Sequence, residues 1–146
     1  MAVSTKTEYA LRALLQIPTQ GSVSAQTICE RQQLPKKYVE HLLSALKKAG
    51  LIASSSGSRG GYTLARPAGQ INLYNIMEAV NDHNLELDCG MGKQFCLGDD
   101  CPLRPLFGDL AARQRELLQK YSLARIAKLF TQEKKRPPAR STWIIA

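Results

Sequence analysis

Apolar residues in the first fifty positions recur at intervals of three and four, the spacing that gathers them on one face of an α-helix. Tyr9, Ala10, Ala13, Leu14 and Ile17 form the first such stripe. Ser4-Thr5 ahead of it offers a hydroxyl to the free N–H groups of the first turn, and Pro18 and Gly21 close it. Ser24 caps a second, shorter helix with Ile28 and Cys29 facing inward and Glu30 and Arg31 outward. After the turn Gln32-Gln33-Leu34, Pro35 opens a third helix, in the first turn where its missing N–H costs nothing. Val39, Leu42, Leu43 and Leu46 are its apolar stripe; it should run to about Ala49, with Gly50 as C-terminal cap.

Beyond Gly50 the pattern shortens. Leu51-Ile52-Ala53-Ser54 reads as a strand, Ser56 to Gly61 as a turn, and Tyr62-Thr63-Leu64-Ala65 as a returning strand. A helix pair joined by a short turn is common; a β-hairpin directly after the third helix makes it a winged helix-turn-helix. Ile71-Asn72-Leu73 is a short strand or the lead-in to a helix carried by Leu73, Ile76, Met77 and Val80 and ending near Asp82. Residues 83–101 read as loop, with Asp82, Glu86, Asp88, Asp99 and Asp100 as solvated acids around it. A long helix follows from Leu103 to Tyr121. Its residues Leu103, Phe107, Leu110, Leu117 and Tyr121 recur at coiled-coil spacing, with Gln114 interrupting. So long a seam on so small a chain favours pairing with a second copy. Ser122 caps a last helix, Leu123 to Phe130. The expected fold is mainly α with a small β-hairpin wing. It divides into a winged helix-turn-helix domain (1–82), a cysteine loop (83–102), dimerisation and final helices (103–131) and a flexible basic tail (132–146).

Charge sharpens this division. The 146 residues carry 20 Lys+Arg against 12 Asp+Glu, a net charge of +8. Residues 1–70 hold nine basic and three acidic residues, and residues 71–146 hold eleven and nine. The excess therefore lies on the winged half, as a polyanion partner requires. No apolar run approaches the ~20 residues of a membrane span, and the N-terminus lacks a signal-peptide core. A cytoplasmic protein is expected, in which thiols stay reduced.

The third helix carries Lys37, Glu40, His41, Ser44 and Lys48 opposite its apolar stripe, with Lys36 and Tyr38 in its first turn. In this fold the N-terminal part of that helix enters the major groove of double-stranded DNA. Lys, Tyr and His bond there to base edges or phosphates, and Glu40 can accept from a cytosine amino group. Lys47 and Lys48, farther along, suit phosphate contacts. Arg59 at the hairpin tip suits the minor groove, and Gly60 and Gly61 permit close backbone approach. One lysine on an exposed helix means little; the conjunction points to DNA.

The segment from Cys89 through Cys96 to Cys101 has the spacing C-x6-C-x4-C in a Gly-containing loop. Three thiols within thirteen residues can converge on one point. A disulfide is disfavoured by a reducing compartment. Structural zinc prefers cysteines in tight pairs, and none occurs here. An iron–sulfur cluster, with its larger footprint, accommodates longer spacings and is the favoured reading. Such clusters take four ligands, so one is missing from the loop; Glu8, His83, Cys29 and a partner-subunit residue are the candidates. Cys29, on the inner face of its helix, reads first as a core residue.

Several stretches together resemble the IscR- and NsrR-type bacterial transcription regulators, over roughly residues 1–130. They are Thr5-Lys6-Thr7-Glu8-Tyr9-Ala10-Leu11-Arg12, Lys37-Tyr38-Val39-Glu40, Ala49-Gly50-Leu51-Ile52, Arg59-Gly60-Gly61-Tyr62-Thr63-Leu64, and the three-cysteine loop before a long helix. The resemblance implies a homodimer that binds palindromic promoter DNA and responds to iron, redox state or nitric oxide through an iron–sulfur cluster. It implies Cys89, Cys96 and Cys101 as thiolate ligands, Tyr38, Glu40 and His41 as base readers, and Arg59 on the wing. Two departures matter. Family members space the three cysteines more nearly equally, whereas here the gaps are six and four. IscR-type members also carry a ligating His three residues after the last cysteine, where this chain has Arg104, which stays protonated and cannot ligate. Some NsrR-like members instead use an acidic residue near the N-terminus of the other subunit, a position held here by Glu8. An oxygen donor among thiolates favours [2Fe–2S] over [4Fe–4S]. The rival readings are a zinc-bound or cluster-free thiol-redox regulator and a small iron–sulfur electron-transfer protein. No cofactor-binding glycine motif or nucleophile–base pair suggests an enzyme.

Overall fold

The computed structural model describes residues 3–57, 60–83 and 97–134. Six α-helices and one hairpin follow in the order α1 (Thr5–Leu14), α2 (Ala25–Gln32), α3 (Lys36–Lys48), β1 (Ile52–Ser55), β2 (Gly61–Leu64), α4 (Leu73–Ala79), α5 (Arg104–Gln119) and α6 (Leu123–Lys134). The mainly α fold with a small β wing is as the hydrophobic pattern predicts. No helix among the described residues is long and apolar enough to cross a membrane.

Hydroxyl caps start the first two helices: Ser4 Oγ accepts from the Thr7 N–H and Ser24 Oγ from the Thr27 N–H at 3.0 Å. Gln33 ends α2 in the left-handed region, φ +52°, which swings the chain into Pro35 and α3. The stripe Val39, Leu42, Leu43, Leu46 is buried along its whole length, against α1, α2, β1 and α4. At the far end Gly50 takes φ +69°. Its N–H donates to Lys47 O at 2.9 Å, and the Leu51 N–H donates to Leu46 O at 3.0 Å. These bonds satisfy the last carbonyls of α3 and turn the chain into β1.

The hairpin pairs Ile52 with Leu64 and Ser55 with Gly61, one residue later in the first strand and one earlier in the second than the alternation suggests. Val23, before α2, adds a third rung: Tyr62 N–H donates to Val23 O at 2.8 Å and Val23 N–H to Tyr62 O at 3.1 Å. Gly61 makes room for this, since a Cβ there would lie 2.7 Å from Val23 O.

α4 is shorter than its apolar residues suggest. Asn72 and Asn75 cap it reciprocally, and Asn81 at φ +51° breaks it after Ala79. The next residue corrects an expectation. Asp82 is not a solvated loop acid but only 3% exposed, and its carboxylate accepts from the hydroxyls of Ser4 and of buried Thr7. It thus ties the end of α4 to the positive N-terminal end of α1, where a carboxylate is favoured.

α5 buries no residue completely. Phe107, Ala111, Gln114 and Leu118 are half-buried, whereas Leu103, Leu106, Leu110 and Leu117 are exposed. The expected seam therefore splits between two faces: Phe107 and Tyr121 are half-buried, and Leu103, Leu110 and Leu117 point outward with Leu106. At the α5–α6 corner Leu73 N–H donates to Tyr121 O at 2.9 Å and Leu123 N–H to Ile71 O at 2.7 Å. Leu123 and Ile126 are buried beyond the corner, so α6 returns to the winged domain. It runs four residues past Phe130, to Lys134.

Asp82→Ala should lower unfolding free energy by about 2 kcal/mol, because it strands the buried Thr7 hydroxyl; a urea midpoint equal to wild type would refute the clamp. Gly61→Ala should cost about 1–3 kcal/mol by pushing Val23 off β2, whereas Gly69→Ala, with nothing within 4 Å of its Cβ, should not. Thermal unfolding of the two variants side by side distinguishes them.

Candidate nucleic-acid interface and metal-centre residues

With its stripe buried, α3 has one orientation left. Lys36, Lys37, Glu40, His41, Ser44, Lys47 and Lys48 are all exposed. Lys36 Nζ lies 4.0 Å from Glu40 Oε1 across one turn, a pair weak enough in water to open when a base or phosphate approaches. His41, Ser44 and Lys48 line a shallow cleft of about 440 Å3, with Glu78 and Asn81 of α4 and its end on the far side. Tyr38 differs from its fellows. It is half-buried, its ring edge-on to Tyr9 at 5.6 Å and 87°, so its ring serves α1–α3 packing.

Gly60 is required by the hairpin itself. A Cβ there would lie 2.5 Å from Ser55 O, and its N–H donates to Gly57 O at 2.9 Å. Arg59, the expected wing residue, lies outside the described residues.

Two arginines that the sequence pattern did not single out shape this surface. Arg66, just beyond β2, donates from Nε to Gly50 O at 3.2 Å and from Nη2 to Ala49 O at 3.4 Å. It places a cation at the negative C-terminal end of α3. Arg12 donates from Nε to Gln32 Oε1 at 3.1 Å and from Nη2 to Gln32 O, and sits over the Tyr9 ring at 5.4 Å. Arg12 ends the first stretch that resembles the family and stands i, i+4 from Glu8, neither of which announces its contact to Gln32; no local pattern announces Arg66, whose partners are 16 and 17 residues away.

Of the candidate metal ligands, Cys89 and Cys96 lie outside the described residues. Cys101 is half-buried and fixed at the head of α5: its N–H donates to Gly98 O at 3.3 Å and its carbonyl accepts from the Arg104 N–H at 3.2 Å. The Arg104 guanidinium pairs with Asp99 across the single turn Gly98–Asp100. Glu8 is exposed on the first turn of α1, its Oε1 3.5 Å from Arg12 Nη1. His83 is exposed, with Nδ1 4.0 Å from Glu78 Oε1. Cys29 lies in the core, as expected. Burial pushes its thiol up and the Glu40 carboxylate pushes it further, so it stays protonated and is a poor ligand. Among the described residues no three His, Cys, Asp or Glu side chains converge. An accessible thiol and an exposed carboxylate held only by a surface ion pair are donors of the type an iron–sulfur centre takes, so the two described members of the set suit it in chemistry.

These features meet in known proteins. A model of the Rrf2 family, described as iron-dependent transcriptional regulators, matches residues 3–129. The chain is 36% identical over 132 residues to the HTH-type transcriptional regulator IscR of Xenorhabdus nematophila, covering 88% of this chain and 80% of that one. It is 33% identical over 128 residues to protein rrf2 of Nitratidesulfovibrio vulgaris, covering 85% of each. Among solved structures it is similar to IscR of T. potens, with TM-score 0.67 and 30% identity over 95% of this chain and 94% of that one. It is similar also to CymR, the global cysteine regulator of B. subtilis, with TM-score 0.68 and 26% identity over 88% of this chain and 98% of that one. The match to the family model over nearly the whole described helical core, with these relatives, settles the family: the chain belongs to the Rrf2 family of DNA-binding transcriptional regulators and is an IscR-like member of it.

Proposed function

We propose that this regulator binds a palindromic site in double-stranded promoter DNA as a homodimer, and that an iron–sulfur centre held by Cys89, Cys96, Cys101 and Glu8 of the partner subunit sets its affinity. The observation that carries the reading is the joint exposure of two surfaces on one chain. One is the polar face of α3; the other is the Leu103, Leu106, Leu110, Leu117 face of α5, whose leucines are 39–54% exposed.

Within this reading, Lys37, Glu40, His41 and Ser44 meet base edges, with Lys36, Lys48 and the Tyr38 hydroxyl at the margins. Arg59 and Gly60 belong to the wing contact in the minor groove. Arg66 holds the end of α3 so that this face keeps its angle. The α5 leucines cover one another across the dimer axis, and spacing between the two α3 helices then sets the half-site distance. Cys101 at the head of α5 and Glu8 at the start of α1 would join dimer helix to DNA-binding domain. When bound, the centre supplies a redox- and nitric-oxide-reactive group of variable charge. With Arg104 engaged by Asp99 and His absent from that position, an oxygen donor completes the set, and [2Fe–2S] is favoured over [4Fe–4S].

A second reading draws on the similarity to CymR, a cysteine regulator by its own description. Here the cysteines work as zinc-bound or metal-free thiols on the same DNA-binding scaffold.

Anaerobic purification decides between them: a coloured preparation with iron and sulfide supports the cluster, and a colourless one supports thiol regulation. In a coloured protein, Glu8→Ala should change the visible and electron paramagnetic resonance spectra; identical spectra would remove Glu8 from the ligand set. Leu110→Asp with Leu117→Asp should give a monomer by analytical ultracentrifugation and weaken binding to a two-half-site duplex by about a hundredfold. A dimer of unchanged stability would refute the α5 interface.

A further inference from the structure

One side chain touches Glu8, the turn of the helix-turn-helix and the aromatic contact to the recognition helix. Arg12 lies near the end of α1, half-buried, and its three nitrogens go to different places. Nη1 reaches Glu8 Oε1 at 3.5 Å, Nε donates to Gln32 Oε1 at 3.1 Å, and Nη2 donates to the Gln32 carbonyl. Its guanidinium also covers the Tyr9 ring, whose edge contact holds Tyr38 in the first turn of α3.

Gln32 is the last residue of α2, so its carbonyl lacks a helical partner and sits at the negative end of that helix. The following residue is Gln33 at φ +52°, a conformation that a side chain with a Cβ adopts only when its surroundings hold it. Three residues, 33 to 35, separate α2 from α3. The angle between the two helices is thus set over a few bonds, and Arg12 fixes the first of them.

We propose that Arg12 is a positioning residue that couples the state of Glu8 to the geometry of the helix-turn-helix. The trigger rests on the reading of Glu8 as a metal-centre ligand; the coupling itself rests on contacts within this chain. With Glu8 beside it, the guanidinium is held from α1 and α2 together. When Glu8 turns to another cation, Arg12 loses its ionic partner and keeps only Gln32 and the Tyr9 face. The turn and the first residues of α3 then settle at a different angle, which alters DNA affinity without any change in the residues that touch DNA.

The test is a double-mutant cycle on the full chain freed of metal, using a duplex selected from random sequence by the wild type. Glu8→Gln should change Kd by about fivefold in the wild-type background and leave it nearly unchanged beside Arg12→Gln. Arg12→Lys keeps the charge but cannot make the fork to Gln32, so it should behave as Arg12→Gln. Equal Glu8→Gln effects in all three backgrounds would overturn the proposal, as would full coupling in Arg12→Lys. Melting midpoints, measured alongside, identify any variant that is merely unfolded; Gln32→Ala, which removes the Oε1 acceptor, then replaces it in the cycle. In the metal-loaded protein, Arg12→Gln should leave the visible spectrum as in wild type while shrinking the ratio of loaded to metal-free Kd; an unchanged ratio counts against the coupling. A wild type that takes up no cluster defeats the metal reading alone, and the metal-free cycle still decides this one.

Discussion

Everything on the DNA-facing side follows from the burial of four side chains. Val39, Leu42, Leu43 and Leu46 are between 0 and 2% exposed, enclosed by α1, α2, β1 and α4. A helix held from so many directions cannot rotate about its axis without opening a cavity, which costs several kcal/mol for each leucine displaced. The polar residues of α3 are therefore presented by default, and its two ends are fixed separately. Pro35 and the left-handed Gln33 fix one; Gly50 and Arg66 fix the other. The polar face of α3 is presented at one angle because the packing behind it is unforgiving.

The sequence revealed most of this, and the reason is local. Periodicity of three and four, a hydroxyl before a helix and a glycine after it are all short-range signals. Helices α2 and α3, the hairpin and their caps were legible within a residue or two; α1 ends at Leu14, three residues short of Ile17, which is buried from the turn that follows. The parts that were not legible depend on contacts distant in the chain. Asp82 looks like one more loop acid until the fold brings Ser4 and Thr7 to it from 78 and 75 residues away. The seam of α5 looks continuous until the fold half-buries Phe107 and leaves Leu103, Leu110 and Leu117 exposed. The edge contact between the Tyr38 and Tyr9 rings, across 29 positions of chain, is likewise invisible to local pattern, and it leaves the expected DNA contact to the Tyr38 hydroxyl.

The candidate site divides in the same way. Lys37, Glu40, His41, Ser44 and Lys48 could be assigned to the outward face by counting from the apolar stripe. Arg12 and Arg66 could not, since each works on backbone carbonyls that carry no sequence signature. Both serve the same need: a helix ends in unpaired carbonyls, and an arginine fork is well suited to satisfy them from outside. For the proposed metal centre, sequence spacing suggested the thiols. What the described geometry adds is the pairing of Arg104 with Asp99 beside Cys101 and the exposed ion pair of Glu8 with Arg12 on α1.

The bond from Leu73 to Tyr121, the rung between Asn72 and Ser122 and the seating of Arg115 over Tyr74 at 5.2 Å fasten α5 toward its C-terminal end. Cys101 stands at the opposite end, about 24 Å away at the helical rise per residue. The helix is thus a lever with its fulcrum at the corner and the thiol on the long arm. A sideways shift of about 1 Å at that thiol turns so long a rod by only two to three degrees. A sideways force at Cys101 would act on that corner with the length of the helix as its arm, so the corner bears the largest torque where its contacts are made.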